Sequence, residues 1–255
     1  MTRVIARNRR FQSRLIHDPD GPLLILSPHL DDSVLNCWSV LAGARDVRVV
    51  NLFTKVPPPG LLTHWDRVCG ATDSATQMRR RIAEDIDAHA LAGRVPTNLG
   101  FVDRMYRRCA PAPAHVDIDS AVVAVLPAVS KVYAPVGVSH RDHRLVRSYA
   151  TAVARNGIPV CLYADLPYAT RFGWPPWVTG SASDPHLDVD AEWDANPMIP
   201  KGRRPRIVTL GGEEAAAKLA AIRRYRSQLP ALDAGPLHAI SNPIIHGFEV
   251  FWDLT

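Results

Sequence analysis

No apolar run in this sequence approaches the roughly 18 to 20 residues that cross a bilayer, so no transmembrane segment is expected. Cysteine is scarce: Cys37, Cys69, Cys109 and Cys161 are scattered without a Cys-x-x-Cys pair, which speaks against a disulfide framework and for reduced structural thiols. The Gly-x-Gly-x-x-Gly fingerprint of dinucleotide sites is missing; after Leu26 comes Ser27-Pro28-His29, so no nicotinamide or flavin cofactor is expected. There is no internal repeat, no low-complexity tract and no nucleic-acid motif. The formal charge of +5 is spread over distant clusters such as Arg9-Arg10, Arg79-Arg80-Arg81 and Arg203-Arg204, which reads as a solvated surface and not as a nucleic-acid footprint. The basic Met1 to Arg14 segment is followed by no apolar signal core, and a cytoplasmic location is the expectation.

What is present fits one soluble α/β domain over residues 1–255, with 1–20 as a basic extension: 47% of residues are hydrophobic and 22% charged. Short apolar runs alternate with helical periodicity. Strands are expected at Leu23 to Leu26, Val47 to Thr54, Asn98 to Val102, Lys131 to Val138, Pro159 to Asp165 and Arg206 to Leu210. Between them fall helices, the first with Val34, Leu35, Trp38 and Leu41 at helical spacing and Asp31 or Asp32 as its cap. This alternation specifies a Rossmann-like doubly wound, mostly parallel sheet with helices on both faces. In such sheets ligands bind at the carboxyl ends of the strands.

Two of those strand ends carry the chemistry. Leu23 to Leu26 runs into Ser27-Pro28-His29-Leu30-Asp31-Asp32, an imidazole and two carboxylates beside a core, a costly cluster unless something binds it. A His and an Asp separated by two residues across a strand-to-helix turn can converge on a divalent metal, and that donor pair suits zinc. About a hundred residues later, the Lys131 to Val138 strand ends in Ser139-His140-Arg141-Asp142-His143, which can supply a missing ligand and a supporting group.

Pro28-His29-Leu30-Asp31-Asp32 together with His140-Arg141-Asp142-His143 resembles the PIG-L (LmbE-like) family of zinc-dependent deacetylases, which hydrolyse N-acetyl groups from glucosamine-type sugars and their conjugates. Arg81-Ile82-Ala83-Glu84, Tyr225-Arg226-Ser227-Gln228 and Phe248 to Trp252 extend the similarity over residues 22–252. The resemblance implies His29, Asp32 and His143 as Zn2+ ligands, Asp31 as general base toward a zinc-bound water, His140 as the group that polarises the acyl oxygen or protonates the leaving nitrogen, and Asp142 as its orienter. It also implies Arg81 and Asp103 as substrate contacts. Where some relatives carry a Tyr two residues before the matched His, this chain has Val138, which leaves the oxyanion contact unassigned.

Other expectations come from the residues alone. Pro57-Pro58-Pro59-Gly60 breaks regular structure and puts Trp65, with His64 and Asp66, on an active-site loop facing substrate. The helix Ser74 to Leu91 should bury a Met78, Ile82, Ile86, Ala90 stripe and solvate most of its charges. Residues 166–205, with Trp174-Pro175-Pro176-Trp177 and His186, read as a long irregular specificity loop. Gly212 to Gln228 reads as a helix, and the tail as a loop carrying His246 into the cavity, then an edge strand. The expected function is removal of an N-acyl group from a small-molecule amino sugar or glycoconjugate. The alternatives are a zinc amidase or esterase on a non-sugar conjugate and a noncatalytic sugar- or nucleotide-binding domain; homo-oligomerisation is left open.

Overall fold

The computed structural model describes residues 11–107, 110–172, 178, 205–235 and 237–254. In chain order the elements are β1 (Ile16–His17), β2 (Leu23–Ser27), α1 (Asp32–Asn36), α2 (Trp38–Leu41), β3 (Val47–Asn51), α3 (His64–Val68), α4 (Ser74–Ala90), β4 (Thr97–Asn98), α5 (His115–Val125), β5 (Ala128–Val129), β6 (Lys131–Pro135), α6 (Arg141–Arg155), β7 (Val160–Tyr163), β8 (Arg206–Thr209), α7 (Gly212–Ile222), α8 (Leu229–Leu232), α9 (Pro243–His246) and β9 (Phe248–Asp253). A seven-stranded sheet has the order β4-β3-β2-β6-β7-β9-β8, parallel from β4 to β7 and antiparallel at β7–β9 and β9–β8. β1 and β5 form a separate two-stranded pair.

β2 is an interior strand, between β3 and β6, and every one of its five residues is buried, as a strand covered on both faces requires. From it the chain winds outward through β3 and β4, then returns to lay β6 on the other flank. The space between β2 and β6 is therefore the switch point at which an open α/β sheet leaves a crevice at its strand ends. His29 follows one of those strands and His140 the other, which is why half-sites more than a hundred residues apart meet. Gly137 makes the second turn: its φ is +83°, and a Cβ there would stand 3.1 Å from the Arg144 backbone, so a side chain would be strained both in backbone and in packing.

Several elements differ from the sequence reading. The expected single helix after β2 is split at Cys37, because the Glu249 carboxylate reaches across from β9 to accept the backbone N–H groups of Trp38 and Ser39 and starts α2 afresh. Asp31 holds the N-cap position of α1 with no side-chain capping bond, and Asp32 turns back to the His29 N–H, so both carboxylates are freed from capping. The tail strand β9 is interior, lying between β7 and β8, with Val250, Phe251 and Trp252 buried; the exposed edge is β8. The third strand is only Thr97–Asn98, and α7 ends at Ile222.

The largest revision concerns α4. Met78 is buried as expected, but Ile86 is 45% exposed and Ala90 is exposed, while Gln77, Arg81, Glu84, Asp85 and His89 face inward. The helix packs with a polar face because that face is hydrogen-bonded: Asp85 accepts from Asn51 Nδ2 (2.7 Å) and Tyr225 O–H (2.8 Å), and Glu84 from the Ser227 N–H and hydroxyl. Among the described residues no helix is long and apolar enough to cross a membrane, and Cys37, Cys69 and Cys161 are free thiols. Trp174 to Trp177, His186 and most of the 166–205 segment lie outside the described residues, as do residues 1–10.

Glu249 is held by Lys218 at 2.9 Å, both side chains wholly inaccessible. Lys218→Met would leave that carboxylate buried without its cation, and urea unfolding should show a loss of about 3–5 kcal/mol.

Candidate metal centre and its cavity

Three lone-pair atoms from the two strand ends converge. His29 Nδ1 and His143 Nε2 stand 3.2 Å apart, and Asp32 Oδ2 lies 3.4 Å from the first and 3.3 Å from the second. Ligands about 2.0–2.1 Å from a tetrahedral zinc ion stand about 3.3–3.4 Å from one another, so these three atoms trace one face of such a site. The residues fit such an ion, and all three line the cavity.

The far nitrogen of each ring is backed by a carboxylate. His143 Nδ1 is 3.5 Å from Asp165 Oδ1, and His29 Nε2 is 3.5 Å from Asp142 Oδ2. Carboxylate–imidazole pairs of this kind fix which nitrogen carries the proton and which is offered to a metal. Two other groupings are close in space, His29 with His140 and His143, and His29 with Asp103 and Asp142. In the first, His140 Nδ1 already accepts the Asp142 N–H (3.3 Å); the second has a single imidazole, a poorer match to zinc than two imidazoles and a carboxylate.

The cluster's electrostatics follow from crowding. Burial alone would depress the His29 imidazole, but Asp103, Asp142 and Asp32 overcome it and raise it to about 9. His143 is raised likewise against burial by Asp32 and Asp165. Asp32, which burial would push up, is held below the usual carboxylate range by His143 and His29. Burial and the neighbouring Asp32 lift Asp31 to about 7, with Arg81 and His29 opposing them. His140 is pushed down to about 3 by burial and by the charges of His29 and His143.

The centre forms the floor of a cavity of about 720 Å³. Asp31, His140, Arg81, Asp103 and Trp65 all line it, with His29, Asp32 and His143. Trp65 stands on α3 and not on a loop, and its neighbour Asp66 is buried, binding Thr63, Ser74 and Tyr106 instead of facing the cavity. Arg81 is 5% exposed, with Nε and Nη1 free of protein partners.

Two placements depart from expectation. The Asp142 carboxylate is engaged by Arg107, the Arg104 N–H (3.0 Å) and His29, so it backs His29; only its backbone N–H touches His140. His246 does not line the cavity: its Nε2 binds the Ala239 carbonyl at 2.9 Å, in a site where burial and Lys218 push its pKa down to about 3. Sequence reasoning passed over Asp165, Arg107, Tyr168 and Gln228. Asp165 ends β7's apolar run as His29 follows that of β2, a signal open to the same rule. Tyr168, whose ring stacks on His140 at 5.8 Å and 25°, carried no such signal.

No family model matches the chain, and no curated protein is significantly similar to it in sequence. Solved structures share its architecture. A zinc-inhibited form of teicoplanin deacetylase is 22% identical with a TM-score of 0.67, covering 91% of this chain and 97% of that one. The deacetylase of the antimicrobial A40926 pseudoaglycone is 25% identical with a TM-score of 0.65, covering 92% and 97%. This chain shares their fold. So does a 4-carboxy-2-hydroxymuconate hydratase from Pseudomonas putida, 16% identical with a TM-score of 0.51 over 92% and 96%, so the fold by itself does not select the reaction.

Because an imidazole must lose its proton to ligate, loading should release protons at pH 7, where His29 and His143 otherwise hold theirs, and affinity should rise with pH toward about 9. Zinc calorimetry in two buffers of different ionisation heat measures the release. Asp165→Asn and Asp142→Asn should each weaken zinc about 10–100-fold in a chelator competition, with the fold retained.

Proposed function

We propose that the protein is a zinc-dependent hydrolase that removes an N-acyl group, acetyl in the simplest case, from an amino sugar carried in a larger conjugate. The observation that carries this reading is the His29, Asp32, His143 triangle with Asp31 beside it, lining a cavity that also holds the polar groups of Arg81, Asp103 and Gln228. The 25% identity to a structure described as a pseudoaglycone deacetylase supports the choice of reaction.

His29, Asp32 and His143 would hold the ion, which supplies Lewis acidity toward an acyl oxygen and lowers the pKa of water. Asp31 does the proton work. With its pKa near 7 it is part ionised at neutral pH, so it can take a proton from attacking water and return it to the departing nitrogen. His140 is neutral in this setting, and since Nδ1 accepts the Asp142 N–H its proton lies on Nε2. It serves as a neutral hydrogen-bond donor to developing negative charge and not as an imidazolium. Tyr168 packs against its ring, and burial keeps the phenol protonated, which makes its hydroxyl a second donor in a chain that has Val138 where relatives carry Tyr.

Arg81, Asp103 and Gln228 offer charge and hydrogen bonds to hydroxyls. Leu232, Leu237 and Ala239 add apolar surface to the same lining, more room and less polarity than a free monosaccharide needs. A sugar attached to an apolar or aromatic group matches such a mixed lining.

Purified protein should contain about one zinc and release acetate and free amine faster from aryl or alkyl glycosides of N-acetylglucosamine than from the free sugar. Asp31→Asn should keep its zinc and lose about 10²–10⁴-fold in kcat. Full turnover in that variant, or a zinc-loaded protein inert across acylated sugar conjugates, removes the reading. Tyr168→Phe should lower kcat with little change in KM, since a donor to developing charge acts in the transition state.

A further inference from the structure

Ser33 follows Asp32 yet faces away from the cavity. Its Oγ is 2.8 Å from His89 Nε2, and His89 Nδ1 is 2.8 Å from the Asp85 carbonyl and 3.3 Å from Asp85 Oδ1. The order is Ser, His, Asp, but all three residues are fully buried and none lines the cavity, so no substrate reaches the hydroxyl. Nucleophilic chemistry is excluded by access. A different role is open to them.

The chain continues at both ends. The Ser33 N–H donates to Ser27 Oγ (3.2 Å), whose hydroxyl donates to the His29 carbonyl (2.7 Å), so Ser33 closes the loop that carries His29, Asp31 and Asp32. Asp85 is fixed by Asn51 at the end of β3 and by Tyr225 beyond α7. Arg81, Asp85 and His89 recur at intervals of four on one face of α4, so the helix that puts Arg81 into the cavity is the one that grips Ser33. An apolar contact could join these elements at less desolvation cost, but it would not fix their relative position to a few tenths of an ångström.

We propose that the sealed Ser33, His89, Asp85 chain is a positioning device, through which α4 sets the stance of the Asp31–Asp32 turn relative to His143 and Arg81. This rests on the metal-site reading above. His89 and Ser33 are positioning residues: they touch neither ion nor substrate, and they act by holding the base and one ligand within the tolerance at which a displacement of 1 Å costs about 10²-fold.

The test uses the full chain, zinc-loaded, as Ser33→Ala, His89→Leu, His89→Gln and the Ser33→Ala/His89→Leu double variant. Thermal midpoint, zinc Kd by chelator competition, and kcat and KM on a hydrolysed acetylated glycoside are read separately. Ser33→Ala removes one oxygen from a buried site and should fold, yet lose about 10-fold or more in both zinc affinity and kcat, with KM within about twofold. His89→Gln, whose side-chain amide can still pair with the Ser33 hydroxyl, should recover most of the loss that His89→Leu incurs. The double variant should be no worse than the poorer single one, as expected of one connected chain. Wild-type zinc affinity and kcat in folded Ser33→Ala would overturn the proposal, as would additive losses or a fall in thermal midpoint alone. If the wild type hydrolyses no acylated sugar, the functional reading fails, while the zinc affinity of Ser33→Ala still decides the positioning role.

Discussion

Two imidazole nitrogens and a carboxylate oxygen held within 3.4 Å of one another are the constraint around which the rest is arranged. Without a cation, three electron-rich atoms at that spacing need protons to offset their mutual repulsion, and His29 and His143 are correspondingly raised in proton affinity. Such a cluster is tolerable beside a core only because the sheet brings it to the crevice between β2 and β6, where backbone groups at the strand ends, the first turns of α1 and α6, and further carboxylates share the charge. Asp142 and Asp165 back the two rings, Arg107 backs Asp142, and the Val138 N–H backs Asp165. In each case the outer group faces the inner one with charge or dipole of opposite sign.

The molecule continues this outward in buried polar contacts where apolar packing would be cheaper. Lys218 and Glu249 hold the start of α2; Asp66 gathers Thr63, Ser74 and Tyr106 beneath α3; the inward face of α4 binds Asn51, Ser33, Tyr225 and Ser227. Directional bonds of this type contribute little net stability, about 1 kcal/mol each, but they specify position. A fold carrying a site with sub-ångström tolerances gains more from position than from surplus stability.

How much of this could be read from the chain depends on range. The apolar runs of β2, β3, β6 and β7 and the two clusters at strand ends are local signals, and the crossover rule then forces the strand ends together. What escaped was set by partners far along the chain. The charges of α4 read as solvated because nothing in residues 74–90 announces that Asn51, Tyr225 and Ser227 will meet them. β9 read as an edge because its pairing with β8 depends on a strand about forty residues earlier. The family resemblance implied Asp142 as the orienter of His140; at the N-terminus of α6 its carboxylate instead points back to His29 and Arg107.

His246 shows how the same reasoning separates chemistry from support. An imidazole in a loop near the cavity invites a ligand or contact role, yet its ring is turned to the Ala239 carbonyl, while the Asp233 carboxylate takes the Ile240 and Ser241 N–H groups and Asn242 Nδ2 donates to the Leu237 carbonyl. Together these bonds shape the segment that sets Leu237 and Ala239 against the cavity. A deacetylase and a hydratase share this fold, so the reaction is set by the side chains placed around the strand ends and not by the sheet itself. In this chain Leu232, Leu237 and Ala239 make part of the lining apolar, and the segment carrying the last two is fixed by its own polar bonds, so under the proposed reaction selectivity for the part of the substrate remote from the amide would be decided there.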